Sequence, residues 1–553
     1  MPSIVLFYAF LVALLTILLM IPSISRLAIS IGILDKCDEG RKIHTDDIPR
    51  LGGFAIFFAF TLSAILFCNF DMTAKGLLAG GIIIFLTGLA DDLTGLSPKQ
   101  KFIGQFIAAG VSVLIGGQYL TTLGDLFGFG EITLGNAGIP FTIVAIVGVI
   151  NAINLLDGLD GLAGGTAGIA AVCFSILAYQ TGNVPLMVML ACFLGAVFGF
   201  LKFNTYPAQI FMGDSGSLFL GYCLGYFAVI LVTAGTRSLS PMAPVIVLIV
   251  PIFDTLYVMV NRALSRQKLF TPDMRHLHHR LLGLNFKHQV VVTIMYGISY
   301  LFCFVAVFAR NAPTPLLFYG LAGVCVLFYS GLCIVEKSGS LHYVGKYQLR
   351  ISIFSERQHK RLQLFSEKLD VVLKYLLLFI IISIIIVPLP NSNQIVLVAT
   401  FLMLLSQGII FMSDDVDNRF LLFLLFFNLT YIIYFTENYS RGFEMLGLPY
   451  MVFSGILFIL LFALVLFKLV VKGAPLSFLD TPLEYLILFL AISVSLVPQP
   501  FQGEHHLLVV SGKSIILFMA YKMTLKETRH RQNKTFVILT YLALGYVIIR
   551  FFI

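Results

Sequence analysis

Tryptophan is missing from all 553 residues. Any interfacial aromatic belt must therefore rest on the 22 tyrosines, leaving the 52 phenylalanines to fill apolar spans. Charge is also scarce: 12% of residues are Asp, Glu, Lys or Arg, against about 25% in a soluble domain. That shortage excludes the string of soluble domains that length alone would suggest. Paired cysteine motifs are absent. Cys37, Cys68, Cys173, Cys192, Cys223, Cys303, Cys325 and Cys333 form no CxxC and lie mostly in apolar runs. They read as inert packing residues and give no sign of a disulfide framework or a zinc site. The first apolar run, about 3–25, has no charged start and no clear small-residue cleavage site, so it reads as a retained membrane helix.

What is present is hydrophobic, at 59% of the chain. About 18 apolar segments reach the roughly 17–25 residues that span a bilayer. The expectation is an all-α polytopic helix bundle, with about 11 spans in residues 1–336 and about 7 more in 371–553. Between them, residues 337–370 form the longest polar stretch, a basic linker in which Ser355 to Leu369 reads as an amphipathic helix on an anionic leaflet. Most of the 36 Lys and Arg fall in loops that follow odd-numbered spans, while Lys75, Arg237, Arg310 and Arg441 fall in the opposite loops. This asymmetry predicts an external N-terminus and cytoplasmic odd-numbered loops. The net charge of +8 points to lipid and ligand phosphates rather than nucleic acid.

Asn151, Asn154, Asp157 and Asp160 recur every three residues at the end of a long apolar run. On a helix that spacing makes one slowly drifting stripe, and ionisable groups at a membrane edge are costly and usually functional. Gly158 and Gly161 would let a ligand approach the backbone. Under the same topology Asp91-Asp92, Lys99, Lys101, Asp214 and the run His276, His278, His279, Arg280 all lie at one depth. Clustered carboxylates without cysteine suit Mg²⁺, with Mn²⁺ as the alternative; Mg²⁺ takes one or two carboxylates plus substrate phosphates. Carboxylate, metal and fixed cation together suit phosphoryl transfer, and a site at the bilayer makes one substrate a lipid.

Five segments in order resemble the polyprenyl-phosphate N-acetylhexosamine-1-phosphate transferases (glycosyltransferase family 4). They are Arg41-Lys42-Ile43-His44 with Pro49 to Gly53; Asp91-Asp92 with Leu96 to Phe102; Asn151 to Gly161; Phe211 to Ser217; and His276 to Leu282. The resemblance covers residues 1–336 and is silent on the rest. It implies transfer of N-acetylhexosamine-1-phosphate from a UDP-sugar to polyprenyl (undecaprenyl) phosphate, with release of UMP and dependence on Mg²⁺. This would begin a bacterial surface glycan at the inner membrane. It further implies Asp214 as main metal ligand, with Asp91 and Asn154 as further ligands, and Asp91, Asp92 and Asp214 as catalytic. Asn151 would bind substrate, Asn154 and Asp157 would lie beside the pyrophosphate and metal, Asp160 would face the uridine, Phe211 would stack on uracil and Lys101 would bind phosphate. The form of the His276–Arg280 loop resembles that of GlcNAc-recognising members, and a homodimer is a further implication. A different class stays open at this point: a secondary transporter or lipid-linked glycan flippase using membrane carboxylates.

Overall fold

The computed structural model describes residues 2–35, 48–234, 239–265, 275–284, 286–338, 356–387, 430, 433–434, 436–438, 440, 442–472, 484, 506–527 and 545. The segment Arg41 to His44 lies outside them, as do most of residues 388–429, 473–505 and 528–553. The chain divides into two compact units, residues 1–348 with 480–487, and residues 349–479 with 488–553.

The first unit is a helix bundle. Its elements are α1 (Pro2–Ile31), α2 (Gly52–Phe67), α3 (Met72–Thr94), α4 (Pro98–Gly116), α5 (Gly138–Leu156), α6 (Leu162–Gln180), α7 (Val184–Asn204), α8 (Gly213–Thr233), α9 (Met242–Val247), α10 (Ile249–Leu264), α11 (Leu277–Gly283), α12 (His288–Phe308) and α13 (Thr314–Ser338). A short pair, β1 (Leu34–Asp35) and β2 (Ile48–Pro49), is antiparallel. The loop around 119–138 closes with a single bridge between Thr122 and Thr133.

The second unit holds α14 (Glu356–Ile386), α15 (Tyr450–Lys472), α16 (Leu507–Glu527) and the strand pair β3 (Glu444–Met445) and β4 (Leu448–Pro449). The surface helix expected to stop near Leu369 instead runs unbroken to Ile386. No glycine or proline interrupts that stretch.

Among the described residues nine helices are long and apolar enough to cross a membrane, eight of them in the first unit. The chain is therefore an all-α, multi-pass membrane protein. The expected 18 spans exceed this count because α2 and α10 are short, at 16 residues each, α4 is not among the nine, and much of the C-terminal region lies outside the described residues.

Membrane helices gain little from burying apolar surface against one another, so close packing of small residues carries the association. Gly76, Gly80 and Gly88 give α3 a smooth stripe against α4 and α8. A methyl at Gly76 would meet Gly116 N at 2.7 Å, and one at Gly80 would meet the Tyr222 hydroxyl at 2.3 Å. At Gly88 it would meet Ser215 Cα at 2.5 Å and Asp214 O at 2.7 Å. Gly195 and Gly199 seat α7 on α1 in the same way. Gly53 lies against Gly216, where an added methyl would come within 2.2 Å of the Gly216 nitrogen.

These contacts set the height of α8 against α2 and α3. Gly88→Ala should therefore cost about 1–3 kcal/mol by overpacking, read as a lowered thermal midpoint in detergent. Gly110→Ala, whose methyl would find nothing nearer than Ile143 Cδ1 at 3.9 Å, should be neutral or slightly stabilising. Equal effects from the two substitutions would show that the close approach at Gly88 is unimportant.

Candidate active site

The last turn of α3 and the first turn of α8 meet at one end of the bundle. Gly213 makes the turn into α8 with φ of +66°, a conformation that favours glycine. A methyl there would also strike the Asp92 carboxylate at 2.6 Å. Asp92 accepts from the backbone N–H of Asp214 (2.8 Å) and of Ser215 (3.0 Å), one on each oxygen. It caps the orphan donors at the start of α8, supplied from another helix. Sequence alone suggested Asp92 as half of a catalytic pair. In the structure both of its oxygens accept from the start of α8 and hold Asp214 in place.

Asp91, one residue earlier, accepts from Leu96 N through Oδ1 (2.8 Å), which fixes the turn into α4. Its Oδ2 lies 2.8 Å from Lys101 Nζ. The same ammonium donates to Asp214 Oδ2 at 2.7 Å. Lys101 is placed for this by the α4 start, where Ser97 and Gln100 form a capping box and Pro98 sits at the first helical position. Asp214 Oδ1 accepts from Asn154 Nδ2 (2.7 Å), and that amide also donates to Ser217 Oγ (2.8 Å). Asp91, Lys101, Asn154 and Asp214 thus form one connected centre, with Asp92 behind it.

The expected stripe from Asn151 to Asp160 does not survive as one face. Asn151 exchanges hydrogen bonds with Gln105 on α4, at 2.6 and 3.3 Å. α5 ends at Leu156, and Gly161, with φ of +77°, turns the chain into α6. Asp160 is buried and faces away from Asn154: its carboxylate accepts from Ala208 N (3.0 Å) and its own N–H donates to His288 Nε2 (3.2 Å). Asn204 and the Tyr296 hydroxyl pin Gly161 from the other side. Periodicity implied a helix where the chain makes a turn.

Asp157, just past α5, stays open to water, but protein crowds it. That crowding, and next the charge of Asp214, push its carboxyl up to about 7, while Arg50 opposes the shift. Phe211 is half-buried where residues 49–53 zip to the α8 turn. Its N–H donates to Pro49 O (2.8 Å), and Gly52 N donates to its carbonyl (2.9 Å).

The His276–Arg280 loop reaches the same end of the bundle. His278 is buried against Gly158, where an added methyl would lie 2.5 Å from His278 Nε2. Burial, and next the neighbouring His279, push its imidazole down to about 3, so it is neutral at pH 7. His279 lies beside it, with ring centroids 4.2 Å apart and the planes tilted by 45°. Arg280 grips Glu336 of α13 through Nε and Nη2, both at 2.7 Å, with its guanidinium carbon 5.2 Å from the Tyr257 ring centroid and 5.6 Å from that of Tyr329. Burial opposes its charge, yet the bonds to Glu336 and Cys333 leave its pKa above the usual value. It is a tie between the loop and α13.

Sequence reasoning missed Gln105, Ser217, Asp254 and Glu336. Asp254 was detectable in principle, because a lone carboxylate inside an apolar helix is itself a signal. A buried cluster in the second unit, where Lys513 donates to Glu437 and Ser454, was missed as well.

From the centre a cavity of about 930 Å³ opens between α4, α5, α8, α9 and α10. Its polar lining residues are Lys101, Asn151, Asn154, Thr255, Arg262 and His276, and the remainder of its wall is apolar. A charged end on an otherwise greasy groove defines a class of membrane protein that handles an amphipathic, anionic ligand.

Comparison with known proteins narrows that class. The model of glycosyl transferase family 4 matches residues 74–232. A probable undecaprenyl-phosphate N-acetylglucosaminyl 1-phosphate transferase of Bacillus subtilis is 37% identical over 311 residues, covering 55% of this chain and 85% of the relative. A decaprenyl-phosphate N-acetylglucosaminephosphotransferase of Mycobacterium tuberculosis is 35% identical over 46% of this chain and 70% of its own length. An undecaprenyl-phosphate alpha-N-acetylglucosaminyl 1-phosphate transferase of Yersinia pestis is 26% identical over 61% and 93%. The chain belongs to this family of polyprenyl-phosphate sugar-1-phosphate transferases.

Two consequences follow from the site geometry. Asp92→Asn keeps one acceptor but replaces the other with an amide donor facing an N–H, so it should lower turnover about tenfold or more through misplaced Asp214. Loss of such a cap also costs about 0.5–2 kcal/mol, visible in thermal unfolding; unchanged turnover would remove the positioning role.

Asp157 has an ordinary pKa of 3.8 and a raised one in the fold. Between about pH 4 and 7 the folded protein therefore holds a proton that the unfolded chain has released. This group's contribution falls as pH rises through that window and stays lowest above 7. Asp157→Asn should be more thermostable than the parent at about pH 8, with the gap closing at about pH 4. Water access keeps the effect small; a gap that does not depend on pH would contradict the shift.

Proposed function

We propose that this protein transfers GlcNAc-1-phosphate from UDP-GlcNAc to a polyprenyl phosphate, releasing UMP, at the cytoplasmic face of a bacterial plasma membrane with its N-terminus outside. One observation carries the reading: the Asp91–Lys101–Asp214–Asn154 centre opens directly into an apolar groove of about 930 Å³. A lipid phosphate lying in that groove brings its headgroup to the charged end. The groove suits the polyprenyl chain, and Lys101, common to the centre and the groove wall, suits the phosphate. The names of the relatives supply the sugar, and the positive-inside asymmetry supplies the orientation.

In the reaction an oxygen of the lipid phosphate bonds to the β-phosphorus of the donor, and the bond from that phosphorus to the bridging oxygen breaks, releasing UMP. The nucleophile is already anionic near neutral pH, since a phosphate monoester has its second pKa near 6. The residues must therefore hold anions together and in line more than they must remove a proton. Lys101 offsets charge. Asn154 fixes the orientation of the Asp214 carboxylate and Asp92 its depth. His278, neutral and wedged on Gly158, shapes the wall beside Asp157.

The donor set fits a divalent cation. Asp91 and Asp214 converge on one point, now bridged by the Lys101 ammonium, and both offer hard oxygens. Among the described residues no group of three or more His, Cys, Asp or Glu could hold a metal by itself. That suits Mg²⁺, which fills its shell with substrate phosphate and water. Asp91 and Asp214 would hold it, and it would supply charge neutralisation at the diphosphate. The transporter reading is disfavoured by position, because these carboxylates sit in the last turn of α3 and the first turn of α8 rather than at mid-helix.

Purified in detergent with undecaprenyl phosphate, UDP-GlcNAc and Mg²⁺, the protein should release one UMP per lipid diphosphosugar formed. Asp214→Asn should lower kcat about 100- to 1000-fold, the scale of losing one preorganised charged group. Full activity in Asp214→Asn would sink the assignment. UMP release stoichiometric with enzyme in the absence of lipid would replace direct attack with a phosphorylated aspartate.

A further inference from the structure

Both ends of the His276–Arg280 loop are fastened, and both fastenings lead to α13. At the far end Glu336 holds Arg280 through two bonds of 2.7 Å. At the near end Asp254 of α10 accepts from Leu277 N (2.8 Å) and lies 2.8 Å from His276 Nδ1. Asp254 is braced in turn by the Tyr329 hydroxyl of α13, at 3.1 Å. Tyr329, Cys333 and Glu336 follow one another at spacings of four and three, so they form one stripe on α13. Cys333 completes that stripe, with its Sγ 3.3 Å from Arg280 Nη2 and 3.6 Å from the Tyr257 hydroxyl.

Between its two fastenings the loop reaches the centre. His278 is buried and packs on Gly158, the residue after Asp157. Any swing of the loop would withdraw His278 from Gly158 and change the wall beside Asp157. Stability alone accounts poorly for the Glu336 bond. The Glu336 side chain is 32% exposed, and at such a site water leaves an ion pair little to contribute. Direction is what the pair adds. Nε meets one carboxylate oxygen and Nη2 the other, and two parallel bonds fix an angle as well as a distance.

We propose that Glu336 and Tyr329 are positioning residues for the donor side of the site. From α13 they set the angle of the His276–Arg280 loop, and through His278 the fit of the sugar nucleotide beside Asp157. Both act through the loop and not on substrate. The identity of the sugar nucleotide rests on the transferase reading; the fastening of the loop does not.

The test uses the full-length protein in detergent and reads two quantities. The first is steady-state turnover with UDP-GlcNAc and undecaprenyl phosphate. Glu336→Gln keeps the size and one acceptor but loses the charged fork. It should raise the KM for UDP-GlcNAc about 10- to 100-fold, the scale of a small misplacement of a binding wall, while the KM for undecaprenyl phosphate holds. Tyr329→Phe, which removes only a hydroxyl, should shift the same constant by a smaller factor. Arg280→Gln should reproduce Glu336→Gln, and the double variant should add little, as coupled residues do. The second quantity is backbone hydrogen exchange, which needs no substrate. Glu336→Gln should speed exchange in the loop and also in residues 158–161, which the loop covers through His278.

A lowered thermal midpoint with both KM values unchanged would leave the tie a purely structural role and overturn the proposal. So would faster exchange confined to the loop and the end of α13, or an equal rise in the two KM values. An Arg280→Gln loss far beyond that of Glu336→Gln would give Arg280 a substrate contact of its own and overturn it as well. If the wild type transfers no sugar but exchange in residues 158–161 still answers to Glu336, the transferase reading falls and the positioning role stands. If Glu336→Gln does not fold, the near-isosteric Tyr329→Phe decides the matter by the same two readouts.

Discussion

The structure of the first unit is organised around one charge problem. Asp91 and Asp214 point at a common position from different helices, and two carboxylates that close repel unless a cation lies between them. Lys101 supplies that cation, with its ammonium 2.8 Å from one and 2.7 Å from the other. Each partner comes from a different element: the end of α3, the start of α4 and the start of α8. Removing the ammonium would leave the pair uncompensated at a membrane edge, where the cost of bare charge is high. The three helix ends are therefore mutually dependent, and the bundle can close only in the arrangement that brings them together.

Backbone contact without side chains makes that arrangement reachable. Gly88 on α3 lies against the first turn of α8, Gly53 on α2 lies against Gly216, and Gly213 provides the turn that presents Asp214. Any larger residue at these points would separate the helices before the polar groups met. The glycines and the charged residues of the motifs are thus two halves of one device: the former permit the approach, and the latter use it.

Much of this was legible in the sequence because it rests on composition and spacing. The shortage of charge gave the membrane class, and the coincidence of Asp91, Lys101, Asn154 and Asp214 at one depth gave the centre. Three of the expected site residues meet partners that local pattern could not show. Asp160 follows Asn154 at helical spacing, but Gly161 takes a left-handed conformation and turns the carboxylate away toward Ala208. Arg280 looks like a substrate donor until α13 supplies Glu336, 56 residues later in the chain. Asp92 looks like the twin of Asp91, but adjacent residues on a helix point about 100° apart, so only one faces Lys101 while the other reaches the α8 backbone. In each case the deciding partner is remote in sequence, and local pattern carries no information about it.

The different fates of Asp91 and Asp92 also bear on the charge balance of the centre. Both oxygens of Asp92 accept backbone N–H groups at a helix N-terminus, where the aligned peptide dipoles favour negative charge. Those bonds favour its charge, while burial and the nearby Asp214 oppose it. What remains is Asp91 and Asp214 against one ammonium, a small negative excess that is sustainable at a partly hydrated helix end. A sugar-nucleotide diphosphate entering beside a lipid phosphate adds several negative charges to that excess, and one lysine cannot offset them. A hard divalent cation held by Asp91 and Asp214, as proposed above, would supply the missing counter-charge.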